Sequence, residues 1–432
     1  MVCISAKLAQ IVSEKRGETR CVAATAADVG HRRWHPALAL CRLRLNSPRR
    51  HATSSPSSVI PRVPIVGAAV LAGAIERCIP GAVVSELCAW GNAEIEKACG
   101  ACFKGKDVEK GVAFPLCISS DGAVGHVSPP EGDTTTLAEG STVKCDVGCH
   151  IGGHIVQAAA TCQVGAKPAA LIGGIGADAA ACAACCYEVF LRLARPGKPT
   201  AAVAPALAAV AAAYGCVLVE GVLSHQVKRF LIDGDKVVLS VPGPDAQEPS
   251  GQEFAAGEAW CLDVLVSKAP AGSSEAAAGK TRVLDERETQ VFKRDAAVER
   301  GLKSPTARKV LAEIERRFPL TPFSLRSLAS VTPGEARLAL TEMLKHNLVR
   351  PYPVLREACR SAVVAQCKGT VILNTNGTDR LTATPRMPTE VKLSAELVEA
   401  SGEGGPRAKL DDNLKALLAE SVSAKKRRNK KK

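Results

Sequence analysis

The chain has 432 residues with a net charge of +13, and only 3% of its residues are aromatic. This length allows two or three domains, and the scarcity of aromatic rings excludes a surface that recognises nucleic acid mainly by base stacking. The charge lies at the two ends, because residues 1–60 and residues 425–432 each carry a net +7. We therefore expect a nearly neutral folded body with basic ends, which are either solvated or bind a polyanion. Nucleic acid is the favoured polyanion, because clustered Lys and Arg gain from counterion release.

The cysteines predict a reduced, intracellular protein. Eighteen of them are scattered along the chain without the spacing of a disulfide framework. The pairs Cys99/Cys102 and Cys182/Cys185 have the spacing of zinc ligands, but neither has a second pair or a flanking histidine at the distance a zinc ribbon requires. We interpret them as packed thiols.

Residues 1–60 differ from the rest of the chain, because Arg, Ser and Pro cluster there and hydrophobic periodicity is poor. Three interpretations remain: a disordered basic extension, an organelle transit peptide, or a misassigned start. The acidic residues Glu14, Glu18 and Asp28 count against a transit peptide, since such segments are poor in acids. We favour a disordered basic extension.

The remaining elements follow in chain order. Periodicity and turn residues predict helices at 66–87 with a break at Pro80, and at 90–106, 169–195, 201–214, 303–318, 332–346 and 410–418. Strands are predicted from residues 111 and 216 onward and at 259–266 and 362–373. The uncharged run 201–219 is rich in alanine and interrupted by Pro205, so it predicts a buried helix leading into a strand, not contact with a membrane.

A β-hairpin is predicted over residues 143–157, where apolar and polar residues alternate around Gly152 and Gly153. This hairpin would place Asp146 and Gln157 across from each other on one face. His150 and His154 flank the turn. Their spacing of four is not a helical spacing here, so we expect both to face solvent.

These motifs resemble the creatinase/methionine aminopeptidase superfamily. The similarity lies in the run 111–115 followed by His126, in the segment around Asp146, and in the segment 220–236 around His225. Within that superfamily, residues 292–295, 315–318, 322–326 and 414–418 before a Lys-rich end are similar to the proliferation-associated, ErbB-receptor-binding family. The resemblance spans about residues 62–432, and residues 1–60 have no counterpart in it.

The resemblance implies an α/β (α+β) pita-bread fold of two pseudo-symmetric halves around a central cleft, with a helical insert in the second half. We place the first half at 61–215, the second half at 216–300 and 353–395, a winged-helix-like insert at 301–352, and a short helix with a Lys/Arg-rich tail at 396–432. Members of this family lack peptidase activity, bind ribosomes and structured RNA, and occur in the cytoplasm, nucleus and nucleolus. The implied role is in ribosome biogenesis, translation and growth control.

Active members of the superfamily hold two divalent ions with two Asp, one His and two Glu. In this chain Asp146 matches the first Asp, His225 matches the His, and Asp263 occupies the place of the first Glu. Gln157 stands in place of the second Asp, and Lys368 stands in place of the last Glu. The family's substrate histidines correspond to His126 and to a position that holds Asp233.

The charge of this set argues against a dinuclear centre. Four carboxylates would neutralise two dications, whereas Asp146, Asp263 and Lys368 together carry a net charge of −1. We predict that Lys368 pairs with both carboxylates in place of the metal, so that the protein binds no metal or other cofactor and is not a peptidase. Three alternatives stay open: one metal on Asp146, His225 and Asp263; an active metal-dependent methionine aminopeptidase; and a peptide-binding module that uses the old cleft.

Function would then depend on binding surfaces. The expected partners are ribosomal RNA, the large ribosomal subunit and structured RNA, through contacts directed at shape and phosphate. The candidate RNA-binding residues are Lys293, Arg294, Lys303, Arg308, Lys309, Arg316, Arg317, Lys425, Lys426, Arg427, Arg428, Lys430, Lys431 and Lys432. Leu414, Leu417 and Leu418 form a short amphipathic motif that can dock in the groove of a protein partner or pack on its own domain.

Overall fold

The structure is a computed structural model that describes residues 62–165, 170–241, 251–270, 279–284, 288–382 and 390–422. The predicted extension 1–60 and the basic tail 425–432 lie outside these ranges. The helices described are α1 (Val63–Glu76), α2 (Val84–Ala101), α3 (Gly174–Leu193), α4 (Val203–Ala213), α5 (Pro305–Arg317), α6 (Pro333–Lys345), α7 (Ala395–Ser401) and α8 (Asp412–Ala419).

The strands described are β1 (Lys110–Ser120), β2 (Ala123–Gly125), β3 (Thr142–Ile151), β4 (His154–Gln163), β5 (Ala170–Ile172), β6 (Val217–Leu218), β7 (Leu223–Val227), β8 (Val237–Leu239), β9 (Ala259–Lys268), β10 (Thr281–Val283), β11 (Val291–Arg294), β12 (Phe323–Ser324), β13 (Val349–Tyr352), β14 (Leu355–Glu357), β15 (Val363–Asn374), β16 (Gly377–Arg380) and β17 (Glu390–Lys392).

One antiparallel sheet organises the molecule. Its strands lie in the order β1-β3-β4-β15-β9-β7-β8, with β16 paired to β15 and β6 paired to β9. Smaller sheets are formed by β10-β14-β2, by β12-β11-β13, and by the parallel pair β17-β5. Strand β1 is an edge strand whose register shifts on both sides of Phe114, next to Pro115, which agrees with the confinement of proline to edges and bulges.

The helices pack on one face of this sheet. Helices α1 and α2 cover β1, β3 and β4, while α3 covers β9 and β15 and is itself covered by α4. Alternate residues of each strand point into these two cores, for example Cys145 and Val147 from β3 and Leu262 and Val264 from β9. The intervening residues of the same strands therefore form a second face, which we call the polar face of the sheet.

The predicted hairpin is formed by β3 and β4. Gly152 and Gly153 make its turn with φ angles of +60° and +78°, a conformation that favours glycine. The register pairs Asp146 with Ala159, and Gly148 with Gln157. Asp146 and Gln157 thus share a face but are offset by two residues, so the expectation that they lie directly across from each other is wrong.

The helix boundaries also differ from the predicted ones. The first helix ends at Glu76 and the second already begins at Val84, because the segment around Pro80 separates them. The long third helix begins only at Gly174, since residues 170–172 form a strand and Gly173 has a φ angle of +73°. Among the described residues, α3 alone is long and apolar enough to cross a membrane, and most of it is buried in the core.

The segment from β11 to β13 forms a small unit of its own. Its core contains Phe292, Val310, Ile314, Phe323 and Met343. Ser304 caps α5, and Thr332 and Glu335 form a capping box at the start of α6. The apolar side of α5 packs into this core, so the side that carries its basic residues is exposed.

Candidate functional site

The candidate site is a row of side chains on the polar face of the sheet. The antiparallel register aligns Asp146 on β3 with Ala159 on β4, Ala159 with Lys368 on β15, and Lys368 with Asp263 on β9. Side chains at successive positions of such a row project to the same side. Ala159 is small, so it leaves room for Lys368 to reach past it to Asp146.

Lys368 bridges the two carboxylates. Its Nζ lies 2.5 Å from Asp146 Oδ2 and 2.9 Å from Asp263 Oδ2. The second oxygen of Asp263 accepts a hydrogen bond of 2.9 Å from Gln366 Nε2. All these side chains are buried, which strengthens the attraction between the ammonium and the carboxylates. The arrangement agrees with the pairing expected from the sequence.

The ionisation of the row follows from this arrangement. Burial alone would lower the pKa of Lys368, but the carboxylates of Asp146 and Asp263 outweigh burial and hold that pKa well above its usual value. Burial raises the pKa of the Asp263 carboxyl, against the opposing effect of Lys368. The amine is therefore a permanent cation at physiological pH.

Two acceptors beside this row have no hydrogen-bond partner among the described residues. They are Asp146 Oδ1 and Gln157 Oε1, both buried. The backbone of Gln157 is held by Thr370, whose hydroxyl accepts from its N–H at 2.8 Å and donates to its carbonyl at 3.0 Å. Gln157 is thus fixed in place, and as an amide it adds no charge to the site.

Two histidines at the site are desolvated, which favours their uncharged form. His225 lies on β7, paired with Cys261, and burial together with the charge of Lys368 lowers its pKa to about 4. His126 has a φ angle of +67° and its Nδ1 lies 3.0 Å from the carbonyl oxygen of Pro353. Burial also lowers the pKa of His126, which packs against Phe114 and Tyr352. Neither imidazole is a cation near neutral pH.

The residues present do not fit two divalent ions. Each ion needs carboxylates for charge balance, and the row offers Asp146 and Asp263 already bonded to an ammonium. A dication about 4 Å from Lys368 would be opposed by roughly 8 kcal/mol at an effective dielectric near 20. A single metal on Asp146, His225 and Asp263 would meet the same opposing charge.

Lys293 and Arg294, predicted as RNA-binding residues, are not on the surface. Both are buried, because β11 is the central strand of its small sheet. Lys293 donates to the carboxylate of Asp233, at a position where the resemblance implies a substrate histidine, and Arg294 pairs with Glu315 at 3.0 Å. The prediction that they contact RNA is therefore wrong, and Lys293 instead forms an ion pair with Asp233.

The other predicted basic residues of this region are exposed. They are Lys303 before α5, and Arg308, Lys309, Arg316 and Arg317 on it. Arg317 is partly engaged by Glu313 at 2.8 Å and lies over the ring of Phe318. We call Lys303, Arg308, Lys309 and Arg316 the basic face of α5. The remaining predicted contacts, in residues 425–432, lie outside the described part of the chain.

The leucine motif predicted to dock on a partner is part of the protein's own core. Leu414 is only 7% exposed and packs into the core beneath α3, and Leu417 and Leu418 pack against the same core. The reason is the amphipathicity of α8 itself, whose apolar side faces α3. The alternative left open by the sequence, packing on its own domain, is the correct one for this motif.

Sequence reasoning missed several residues of the site. Gln366 lies two positions before Lys368, and the alternation of a strand puts both on one face, so its contact with Asp263 could have been foreseen. The aromatic group formed by Phe114, His126 and Tyr352 could not, because β13 is distant in sequence from β1.

His150 was expected to face solvent, but the residue is only partly exposed. Its Nδ1 is buried without a hydrogen-bond partner in the described part of the chain, and burial lowers its pKa to about 4. The register pairs His150 with Ile155 and His154 with Ile151. The two histidines therefore point to opposite faces of the hairpin and do not form a metal-binding pair.

Comparison with known proteins agrees with the fold and the motifs. Residues 62–271 match metallopeptidase family M24. ErbB-3 binding protein 1 from Solanum tuberosum is 41% identical over 311 residues, covering 72% of this chain and 76% of that protein. Proliferation-associated protein A from Dictyostelium discoideum is 36% identical over 360 residues, covering 83% and 86%.

Among solved structures, a thermophilic Arx1 superposes with a TM-score of 0.74 at 22% identity, covering 85% of this chain and 98% of that one. This likeness confirms the predicted pita-bread fold. Together with the two relatives, it also confirms the resemblance found in the sequence motifs. The chain belongs to the family of ErbB-3 binding and proliferation-associated proteins, within the creatinase/aminopeptidase superfamily.

Proposed function

We propose that this protein is a non-catalytic relative of the methionine aminopeptidases that binds ribosomes and structured RNA. Its role would lie in ribosome biogenesis, translation and growth control, in the cytoplasm and the nucleus or nucleolus. The main support for a lack of peptidase activity is the position of Lys368, whose amine bridges Asp146 and Asp263. The names of the ErbB-3 binding and proliferation-associated relatives support a role in growth control.

The proposed absence of hydrolysis is supported by the electrostatics of the site. A metallopeptidase of this fold needs dications that acidify a bound water, and such ions need several carboxylate ligands. Here the ammonium of Lys368 already neutralises one of the two available carboxylates, and Gln157 cannot replace an anionic ligand. The partly buried imidazoles of His126 and His225 would then be packed side chains with no metal to bind.

The RNA half of the proposal is supported by the basic face of α5. Its four cationic side chains are exposed, three on α5 and one two residues before its first residue. The acidic residues Glu313 and Glu315 on the same helix are held by Arg317 and Arg294, so they do little to cancel this charge. Because exposed aromatic rings are scarce, the contacts would be to the phosphates and the shape of double-stranded RNA.

The enzyme hypothesis is tested by metal content and peptidase activity in the same preparation. We expect neither two Mn²⁺ or Co²⁺ ions per chain nor release of N-terminal methionine from a peptide. A triple variant, Lys368→Glu with Gln157→Asp and Asp263→Glu, should gain Mn²⁺ or Co²⁺ binding because it restores four carboxylates. Methionine release by the unaltered protein with two such ions bound would overturn the proposal.

That outcome would favour the second candidate function, an active metal-dependent methionine aminopeptidase. The match of residues 62–271 to metallopeptidase family M24 and the presence of Asp146 and His225 favour it. Ribosome co-sedimentation at graded salt tests the other half of the proposal. Failure to sediment with ribosomes at low salt would remove the RNA-binding role and leave the metal result unaffected.

A further inference from the structure

Three cysteine thiols converge on the face of the sheet opposite the candidate site. Cys145 on β3 and Cys162 on β4 are diagonal neighbours in the hairpin register, and Cys78 reaches them from the segment after α1. Their sulfur atoms all lie within 4.8 Å of one another, and the pair Cys78–Cys145 is separated by 3.7 Å. All three side chains have zero exposure to solvent.

We propose that Cys78, Cys145 and Cys162 form a binding site for one soft divalent cation, with zinc as the physiological ion. A cation held about 2.3 Å from each of three sulfurs sets those sulfurs about 4 Å apart, close to the observed separations. Thiolates select zinc and other soft ions over Mg²⁺, Ca²⁺ and Mn²⁺. The Ala74 carbonyl oxygen, 3.3 Å from Cys78 Sγ, offers an oxygen for a fourth position.

Charge balance at three thiolates favours a divalent over a monovalent cation. Binding of the ion displaces three thiol protons, so three thiolates and one Zn²⁺ leave a net charge of −1 in the interior.

Such an ion would tie the segment after α1 to the hairpin. Cys145 immediately precedes Asp146, so the metal would lie beneath the strand that holds one end of the charged row. This role is structural, because the site is closed to water and substrate. It involves none of the side chains on the polar face, and its failure would leave the proposed function untouched.

The test uses Cd²⁺ as a spectroscopic substitute for Zn²⁺ in the full-length protein, purified under reducing conditions and stripped with a chelator. Because the chain has eighteen cysteines, the difference between variants is the readout. The variants are Cys78→Ser and Cys162→Ala. The matched control is Cys88→Ser, since Cys88 is equally buried in the same half of the protein but is not one of the three thiols.

We expect the wild-type protein and Cys88→Ser to bind one more Cd²⁺ per chain than the two cluster variants. Their sulfur-to-cadmium charge-transfer absorption and their metal-induced rise in Tm should also exceed those of the two cluster variants. X-ray absorption on the loaded wild-type protein should show three sulfur ligands. Equal Cd²⁺ binding by Cys162→Ala and the control, or fewer than three sulfurs around the ion, would overturn the proposal even if Cys78→Ser does not fold.

Discussion

Lys368 determines the charge of the candidate site, because it is the cation between two buried carboxylates. Replacing it with Met should lower the free energy of unfolding by roughly 3–5 kcal/mol at pH 7, since two facing carboxylates would be left uncompensated in the interior. The deficit should shrink as the pH falls, because one carboxyl can then take up a proton. Urea unfolding followed by circular dichroism at pH 7 and pH 5 measures both effects.

The control for this variant is Lys228→Met. Lys228 also pairs with an aspartate, Asp235, but both side chains are exposed, so its loss should cost less than about 1 kcal/mol. If Lys368→Met were as stable as this control, the pairing that underlies the non-catalytic interpretation would be absent in solution.

His150 should make the free energy of unfolding depend on pH. Its pKa falls from 6.5 to about 4 in the folded protein because of burial, so the unfolded chain takes up the proton first as the pH is lowered. Its stability contribution is therefore complete above about pH 6.5 and is lost as the pH falls towards 4. From pH 7 to pH 5 this loss amounts to about 2 kcal/mol.

Between pH 7 and pH 5, the free energy of unfolding of His150→Phe should fall by about 2 kcal/mol less than that of the wild-type protein. Guanidinium unfolding at both pH values gives the difference. Ile155→Val, at the paired position of the hairpin, is the control that should leave the pH dependence unchanged. An identical pH dependence in His150→Phe and wild type would mean that the imidazole is solvated.

At the scale of single elements, α8 shows how an amphipathic motif can be internal. Leu414→Ala should destabilise the protein by about 2–5 kcal/mol, because the side chain fills the core beneath α3. Thermal unfolding measures the loss. Asn413→Ala, at an exposed position on the same helix, should have little effect. A stable Leu414→Ala protein that has lost binding to a protein partner would instead restore the docking interpretation.

Strand β11 shows that charged residues can be internal. Its four positions are all buried, although two of them are Lys293 and Arg294. A charge on a central strand is expensive unless it is paired, and both side chains indeed have acidic partners. Helix α5 follows the ordinary rule, with Ala307, Val310 and Ile314 packed inward and its basic residues facing out.

At the scale of the whole molecule, the distribution of charge predicts how RNA binding depends on salt. Neutralising Lys303, Arg308 and Lys309 to Gln, together with the lysines of residues 425–432, should weaken ribosome binding. Each lost phosphate contact should also reduce the slope of log affinity against log salt by about 0.7–0.9. Co-sedimentation with ribosomes at several salt concentrations measures the slope.

The control variant carries three lysine-to-glutamine substitutions at other exposed positions. Lys104, Lys106 and Lys409 are equally exposed but lie away from α5, so changing them to Gln alters the net charge by the same amount as the three changes near α5. This control is compared with a variant in which only Lys303, Arg308 and Lys309 are changed to Gln. A control triple that weakened binding as much as that variant would show that only net charge matters. Unchanged affinity and slope in the full variant would remove the RNA-binding hypothesis.

Local sequence determined the elements that depend on periodicity and turn chemistry. The glycine turn fixed the β3–β4 hairpin, and alternation along β3, β9 and β15 was enough to put Asp146, Asp263 and Lys368 on strands. The charge count that argues against two dications also came from the sequence, because it needs only the identity of the residues. Family resemblance supplied the fold, which periodicity by itself did not.

Only the tertiary structure decided which side chains meet. The register between β4 and β15 aligns Lys368 with Ala159, and nothing within either strand sets that pairing. The same holds for the burial of Lys293, of Leu414 and of the Nδ1 atom of His150, and for the convergence of Cys78 with the hairpin cysteines. Burial depends on which elements cover a residue, and those elements come from distant parts of the chain, beyond the reach of local patterns.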